Sequence, residues 1–133
     1  MLTLGNRDSC RTLLDAAILA SENGEREAII YVASDADPLH VSRAEFRQAA
    51  LRYATALTAL GVGSRDLVVI AHTQNLESIF AFWGALIVGA IPSMFPTLTE
   101  KLDPEIYMRS MSELVALSEV RLVLTTDELA PEL

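Results

Sequence analysis

A long uncharged apolar run, residues 78–99, restricts most strongly how this chain can fold. The run is nominally long enough for a membrane span, which takes about 20 residues. Pro92 and Pro96 interrupt it and leave residues 79–91 as its continuous part, a length typical of a buried core helix. The sequence therefore predicts no membrane span. It predicts a helix that is apolar on nearly every side, so other elements or a partner surface must cover it.

Composition and charge favour one compact protein of the cytoplasm. The chain has 133 residues, 51% of them hydrophobic, and a formal net charge of -8 with scattered cations. This charge argues against nucleic acid or an anionic membrane as a partner. Cys10 is the only cysteine, which excludes an intrachain disulfide. Charges at Arg7, Asp8, Arg11 and Asp15 interrupt the apolar core that a signal peptide needs.

The first part of the chain predicts a helix followed by a small hairpin. Ser9 is a candidate N-cap for a helix over about residues 11–22. Residues 28–32 and 39–41 are short β-rich runs on either side of the turn-forming sequence SDADP. Together these signals predict a helix and hairpin that precede the main sheet.

A capping box marks the start of the next helix. Ser42 is followed three residues later by Glu45, and apolar residues then recur at helical spacing as far as Leu60. Gly61 supplies the stop signal at the carboxyl end.

The second part alternates strands and helices. The predicted strands are residues 67–71, 90–94 and 121–126, and the predicted helices are about residues 76–89 and a segment within 104–117. The apolar stripe of the last helix is Ile106, Met111, Leu114 and Leu117. Such alternation requires right-handed βαβ crossovers and a parallel sheet, in which residues 67–71 form a central strand covered on both faces.

The predicted fold is therefore α/β, a three-layer arrangement with a short parallel sheet from βαβ crossovers, plus a small N-terminal helix and hairpin. We expect residues 1–133 to form a single domain. Within it, residues 1–60 hold the N-terminal helix, hairpin and second helix, and residues 61–133 form the βαβαβ unit.

Polar residues follow the predicted central strand, at the edge where open α/β sheets bind ligands. His72, Gln74 and Asn75 are therefore candidate ligand-binding residues. The alternative is that Thr73 or Asn75 caps the next helix, and this alternative is favoured because Asn is among the best capping residues.

Two other patterns do not support a site. The Gly61-Val62-Gly63 segment follows a helix and precedes a strand, the reverse of the order that a phosphate loop needs. Asp35 and Asp37 resemble the start of a calcium loop, but Phe46 stands where the bidentate Glu belongs. We therefore predict no metal site.

The order of the segments, VSRAEFRQAALRYATALTALGVGSRDLVVIAHTQNLESIFAFWGALIVGAIPSMFP, resembles the N-terminal region of the adenylate-forming enzymes. This superfamily contains acyl-CoA synthetases, luciferases, fatty-acyl-AMP ligases and peptide-synthetase adenylation domains. The matching positions are Gly61, Gly63, Asp66, Asn75, Gly84, Gly89, Ala90 and Pro92. Ser64-Arg65-Asp66 departs from the Gly-Asp pair that is usual there, and RLVLTTDEL looks like the next strand of the family.

This resemblance implies an enzyme that activates a carboxylic acid, fatty or other, with ATP and Mg²⁺ as an acyl-adenylate. The acyl group then passes to a thiol, of CoA or of a carrier protein. The chain looks like the N-terminal part of such an enzyme, whose remainder would be its partner. The phosphate loop and the catalytic lysine of the family lie in later segments, and the last glycine here is Gly89. We therefore predict no catalytic residue and no cofactor in these residues, and an inactive isolated chain.

The CoA-transferring branch of the family suggests one further pair of residues. Lys101 and Arg109 fall where basic side chains of that branch lie near the phosphates of CoA. The connection that carries them is longer than usual, and the alternative is that both are solvated surface residues.

Two expectations concern partners. In the isolated chain, the sheet edge that later strands of the family pair with would be exposed, so we predict a homodimer. The alternative to an enzyme fragment is a free-standing α/β binding or assembly module without catalysis.

Overall fold

A computed structural model describes residues 12–19, 23–71, 75–96, 103–127 and 130. Its helices are α1 (Leu13–Leu19), α2 (Arg43–Ala59), α3 (Leu76–Val88) and α4 (Pro104–Leu117). Its strands are β1 (Glu27–Tyr31), β2 (Leu39–Ser42), β3 (Leu67–Ala71), β4 (Ile91–Met94) and β5 (Val120–Thr125). The chain divides within α2 into two compact units, Met1–Ala49 and Ala50–Leu133, and each unit is described by itself.

The first unit contains α1 and the predicted hairpin. Strands β1 and β2 pair antiparallel, with Ile30 opposite His40, and the Glu27 carboxylate contacts the His40 ring from the neighbouring strand. The predicted cap Ser9 lies outside the described residues. Within them, Thr12 and Asp15 form reciprocal hydrogen bonds of 3.0 and 3.1 Å at the start of α1, so Thr12 has the capping role.

The predicted capping box of α2 is confirmed. The Glu45 amide donates to the Ser42 hydroxyl at 3.2 Å, and the Ser42 amide donates to the Glu45 carboxylate at 2.8 Å. Hydrogen bonds from the backbone and then the side chain of Ser42 lower the pKa of Glu45. The box therefore fixes the first turn of α2 by satisfying two backbone donors that the helix leaves unpaired.

The second unit is built on the predicted parallel sheet, with strand order β4-β3-β5. In the centre, Val68 lies opposite Pro92 on one side and Leu122 on the other. Val68, Val69 and Ile70 are fully buried, as expected for a strand covered on both faces. The α/β class and the parallel sheet are confirmed.

Side chains of β3 alternate between two apolar clusters. Val68 and Ile70 pack with Leu57 of α2 and with Ala81 and Ala85 of α3. On the opposite face, Val69 and Ala71 pack with Tyr107 and Met111 of α4. Helices thus cover both faces of the sheet, which gives this unit three layers.

The apolar helix α3 is covered by the sheet on one side and by α2 on another. A Cβ atom at Gly84 would lie only 2.4 Å from the Cβ of Tyr53 and 3.0 Å from the backbone oxygen of Ala50. Glycine is therefore needed where the two helices approach each other. Within the described residues no helix has the length and apolar character needed to cross a membrane.

The predicted apolar stripe of α4 is partly wrong. Ile106 is 45% exposed and Leu117 is 85% exposed, whereas Tyr107 and Met111 are buried against the sheet. Residues 106–108 are all apolar, so the sequence pattern leaves the buried face uncertain by one position. Contact with β3 selects Tyr107 because it lies one helical turn before Met111.

Candidate functional site

The carboxyl ends of the three parallel strands meet at one edge of the sheet. Ala71, Met94 and Thr125 end β3, β4 and β5, and α3 and α4 begin beyond β3 and β4 respectively. This edge is the usual ligand-binding position of an open α/β sheet. It is also the edge that the sequence pattern selected.

Asn75 is the N-cap of α3, which confirms the capping interpretation. Its side-chain oxygen accepts from the Ser78 amide at 3.0 Å, and the buried Ser78 hydroxyl donates to the Asn75 backbone oxygen at 2.7 Å. The other two candidates beside it, His72 and Gln74, lie outside the described residues. A ligand-binding role of these three residues stays a prediction.

Tyr107 is a buried residue at this edge that sequence reasoning missed. It lies in the first turn of α4, is 4% exposed and packs edge-to-face on Phe95, with ring centroids 5.1 Å apart at 75°. Its hydroxyl has no hydrogen-bond partner in the part of the chain that the structure describes. Burial raises the pKa of Tyr107, which keeps the phenol protonated over the ordinary pH range.

Thr125 and Thr126 place two more hydroxyl groups beside the end of β3. The Thr125 hydroxyl donates to the Ala71 backbone oxygen at 3.0 Å and ties the end of β5 to β3. The Thr126 hydroxyl is buried and, among the described residues, has no hydrogen-bond partner. Among the described residues, this edge therefore has two uncommitted buried hydroxyls, at Tyr107 and Thr126. Such groups can donate to or accept from a polar ligand atom.

Only one of the two basic candidates lies within the described residues. Arg109 is exposed on α4, which fits the solvated alternative, and Lys101 lies outside the described residues. Their assignment to CoA phosphates stays a prediction.

The described residues do not fit a resident Mg²⁺ ion or the phosphates of ATP. They contain no group of three His, Cys, Asp or Glu side chains that could hold a metal ion. The whole sequence also has no glycine after Gly89, so no glycine-rich phosphate loop follows the first βαβ unit.

The Gly61–Gly63 segment lies at the opposite, amino edge of the sheet and has a structural role. The Gly63 amide donates to Asp66 Oδ2 at 2.8 Å, and Arg121 Nη2 donates to the Gly61 oxygen at 3.3 Å. The Arg65 amide donates to the Gly89 oxygen at 2.8 Å. These contacts fasten the loop to β5 and to the end of α3.

Comparison with known proteins identifies the family. Residues 17–133 match the sequence model of the family described as AMP-binding enzyme. The chain belongs to this family. The AMP-binding assignment thus covers the parallel-sheet unit and much of the unit that precedes it.

Relatives of this AMP-binding chain are much longer proteins. Acetyl-coenzyme A synthetase of Burkholderia lata is 33% identical over 90 residues, which are 68% of the chain and 14% of the relative. Acetyl-coenzyme A synthetase of Escherichia coli K12 is 32% identical over 108 residues, 80% of the chain and 16% of the relative. The chain therefore spans about a seventh of the length of the curated relatives it matches.

Solved structures share the fold. A fatty acid AMP ligase from Legionella pneumophila superimposes with a TM-score of 0.78 at 20% identity, over 96% of this chain and 22% of the ligase. An adenylation domain of a keto acid-selecting peptide-synthetase module, bound to a keto acyl adenylate, gives a TM-score of 0.77 at 25% identity, over 92% and 23%. The AMP-binding chain thus has the fold of a part of these enzymes.

Proposed function

We propose that this AMP-binding chain is the N-terminal part of an ATP-dependent ligase that converts a carboxylic acid into an acyl adenylate. The family match over residues 17–133 carries the proposal. The acetyl-coenzyme A synthetases at 32–33% identity support it. The chain also shares its fold with part of the fatty acid AMP ligase and of the adenylate-bound adenylation domain, at TM-scores of 0.78 and 0.77, which is consistent with the same chemistry.

In the proposed reaction, a carboxylate oxygen of the acid attacks the α-phosphate of ATP, the bond to the β-phosphate breaks and pyrophosphate leaves; Mg²⁺ would neutralise charge on the phosphates, held by residues outside those described. A thiol, of CoA or of a carrier protein, then takes the acyl group and releases AMP. The residues of this chain are proposed to form part of the structural framework of the enzyme and to contribute no catalytic group. His72, Gln74 and Asn75, which follow β3 in the sequence, are proposed to bind a ligand, and Lys101 and Arg109 are proposed to bind the CoA phosphates.

The isolated 133-residue chain is proposed to be inactive. It has no glycine-rich loop after Gly89, and Lys101 is its only lysine. The test is ATP–pyrophosphate exchange with a panel of short, long and aromatic carboxylic acids. We expect no exchange above a heat-denatured control. Exchange that depends on one acid would contradict the proposed inactivity while supporting adenylate formation.

The proposal for the complete protein needs a separate experiment. An antibody against this segment would recover the native product from its source cells, with mass spectrometry of the recovered band. We expect a protein several times longer than 133 residues that shows acid-dependent pyrophosphate exchange. A native product of this length without exchange would indicate a binding or assembly module instead.

We also propose that the isolated chain self-associates and that the protein acts in the cytoplasm. The proposed self-association is supported by the three-stranded sheet, in which β4 and β5 each have a strand on one side only among the described residues. Unpaired strand edges favour pairing with another chain.

A further inference from the structure

An open apolar groove of about 470 Å³ lies between α2 and α3 in the second unit. Its α2 side includes Leu51, Thr55, Thr58 and Ala59, and its α3 side is formed by Ile87 and Val88. The four named residues of α2 are exposed, Leu51 to 43%, and the two of α3 are half-buried. The two helices that pack on the sheet thus leave an apolar surface uncovered between them.

The parts of the two helices that form the groove carry no charge. Residues 53–64 and 78–99 contain no Asp, Glu, Lys or Arg, and the charged residues of α2 all lie at or before Arg52. A surface that faces water usually mixes charges of both signs. A contiguous apolar surface without them is typical of an interaction site.

The two threonines of the groove are ready for burial. The Thr55 hydroxyl donates to the Leu51 backbone oxygen at 2.9 Å, and the Thr58 hydroxyl donates to the Ala54 backbone oxygen at 2.8 Å. Both hydroxyls are therefore satisfied inside α2. Covering the groove would leave neither donor without a partner, so the main cost of burying a polar side chain does not arise.

The properties of the groove favour a tethered occupant over a separate partner. A membrane surface is disfavoured because the groove offers no cation and the whole chain has a formal net charge of -8. A stable interface between separate proteins takes about 20–30 residues a side, and seven residues line this groove. A segment of the same polypeptide loses little translational freedom on docking, so a small apolar surface is sufficient to hold it.

The relatives show how much polypeptide is available for this role. The matched residues are 14% of the Burkholderia lata synthetase and 16% of the Escherichia coli synthetase. We propose that, in the complete ligase, an apolar segment from beyond residue 133 of the same polypeptide packs into the α2–α3 groove. This inference rests on the proposed function, in which the chain is the N-terminal part of a longer enzyme, and it names the surface that joins this part to the rest.

Cysteine alkylation of the complete native protein tests whether the groove is covered. Thr55→Cys places a thiol in the groove, and Ala56→Cys is the matched control, because Ala56 is also exposed on α2 but does not line the groove. Trypsin releases residues 53–65 as one peptide without a native cysteine, so mass spectrometry reads either site separately from Cys10.

We expect Thr55→Cys to react at least about tenfold more slowly in the folded than in the urea-unfolded protein, and Ala56→Cys to react at nearly the unfolded rate. The protection of Thr55→Cys should stay the same over a hundredfold dilution, because its cause lies in the same polypeptide. Absence of protection, equal protection of both variants, or protection that is lost on dilution, as a second copy would give, would overturn the proposal.

Photocrosslinking identifies the occupant. A benzophenone amino acid replaces Leu51, which lies in the groove and is exposed enough to tolerate the change. We expect a product of monomer mass in which residue 51 is joined to a peptide from beyond residue 133. A crosslink to a second copy or to another protein would contradict the inference.

Pyrophosphate exchange measured on the same preparations separates the two proposals. An active ligase with an unprotected Thr55→Cys thiol would overturn the docking surface alone. A longer protein with a protected thiol and no acid-dependent exchange would overturn the ligase function alone.

Discussion

The hydroxyl of Tyr53 on α2 donates a 2.8 Å hydrogen bond to Glu77 Oε2 in the first turn of α3. A Cβ atom added at Gly84 of α3 would lie only 2.4 Å from the Cβ of Tyr53. Tyr53 thus joins the two helices by a polar contact at its tip and a close backbone approach at its base.

Gly84→Ala is expected to destabilise the protein. The added methyl would meet the Cβ of Tyr53 and backbone atoms of Ala50 and Ala54, which cannot move as a flexible side chain does. Overpacking of this kind costs about 1–3 kcal/mol in the free energy of unfolding, measured by urea denaturation. Gly63→Ala is the control, because a Cβ atom there would lie 3.9 Å from its nearest neighbour, Asp66 Oδ2. We expect the free energy of unfolding of this variant to change by about 1 kcal/mol or less. Equal losses in both variants would refute the close-approach explanation.

Two tyrosine-to-phenylalanine substitutions should have effects of opposite sign. Tyr53→Phe removes the hydrogen bond to Glu77 and should lower the free energy of unfolding by about 0.5–1.5 kcal/mol. Tyr107→Phe removes a buried hydroxyl that has no partner among the described residues, and should raise it by about 1 kcal/mol. Thermal and urea unfolding of both variants supply the comparison. Destabilisation by Tyr107→Phe would indicate that its hydroxyl is bonded in solution.

Alkaline pH should weaken the contact between α2 and α3. Burial and then the hydrogen bond to Glu77 raise the pKa of Tyr53 to about 12, whereas an unfolded tyrosine ionises near ~10. The contribution of the protonated phenol is therefore fully present below pH ~10 and is lost as pH rises toward ~12. Ultraviolet titration should show that Tyr53 and Tyr107 both ionise late, and in Tyr53→Phe only the late signal of Tyr107 should remain. The stability of that variant should also fall less steeply over this interval, and parallel curves would count against the assignment.

Removal of the cap of α3 should destabilise the second unit. In Asn75→Ala the Ser78 amide loses its 3.0 Å acceptor, which costs about 0.5–2 kcal/mol in the free energy of unfolding. Asn75→Asp keeps an acceptor at the helix N-terminus and should retain most of the stability. If Asn75→Asp lowers the free energy of unfolding as much as Asn75→Ala does, the amide nitrogen of Asn75, and not its oxygen, stabilises the helix.

Leucines inside and outside the core should respond differently. Leu57 is 1% exposed and packs against β3, so Leu57→Ala should cost about 2–5 kcal/mol in the free energy of unfolding. Leu60 is 62% exposed, and Leu60→Ala should change it by less than about 0.5 kcal/mol. Urea denaturation of the pair would test whether the cluster around Val68 is the main source of stability.

Local signals account for what the sequence predicted correctly. The apolar run of β3, the Asn75 cap and the end of α3 near residue 89 depend on residues within a few positions of one another. The bond from Arg121 to the Gly61 oxygen joins residues 60 positions apart, and no periodicity indicates it. The buried face of α4 was misplaced at Ile106 for the same reason, because contact with β3 decides between adjacent apolar residues. The uncommitted hydroxyls of Tyr107 and Thr126 are likewise a property of tertiary packing.

The position of β3 in the sheet has a consequence for synthesis. It is the central strand, yet it precedes both of its neighbours in the sequence, since the strand order is β4-β3-β5. On the ribosome, its apolar residues emerge before either partner strand is available, and chaperones commonly protect such segments. We expect nascent chains arrested after β3 or β4 to aggregate or recruit chaperones, which ribosome-bound crosslinking would detect. Among the described strands, β3 has both of its neighbours only after β5 has been made.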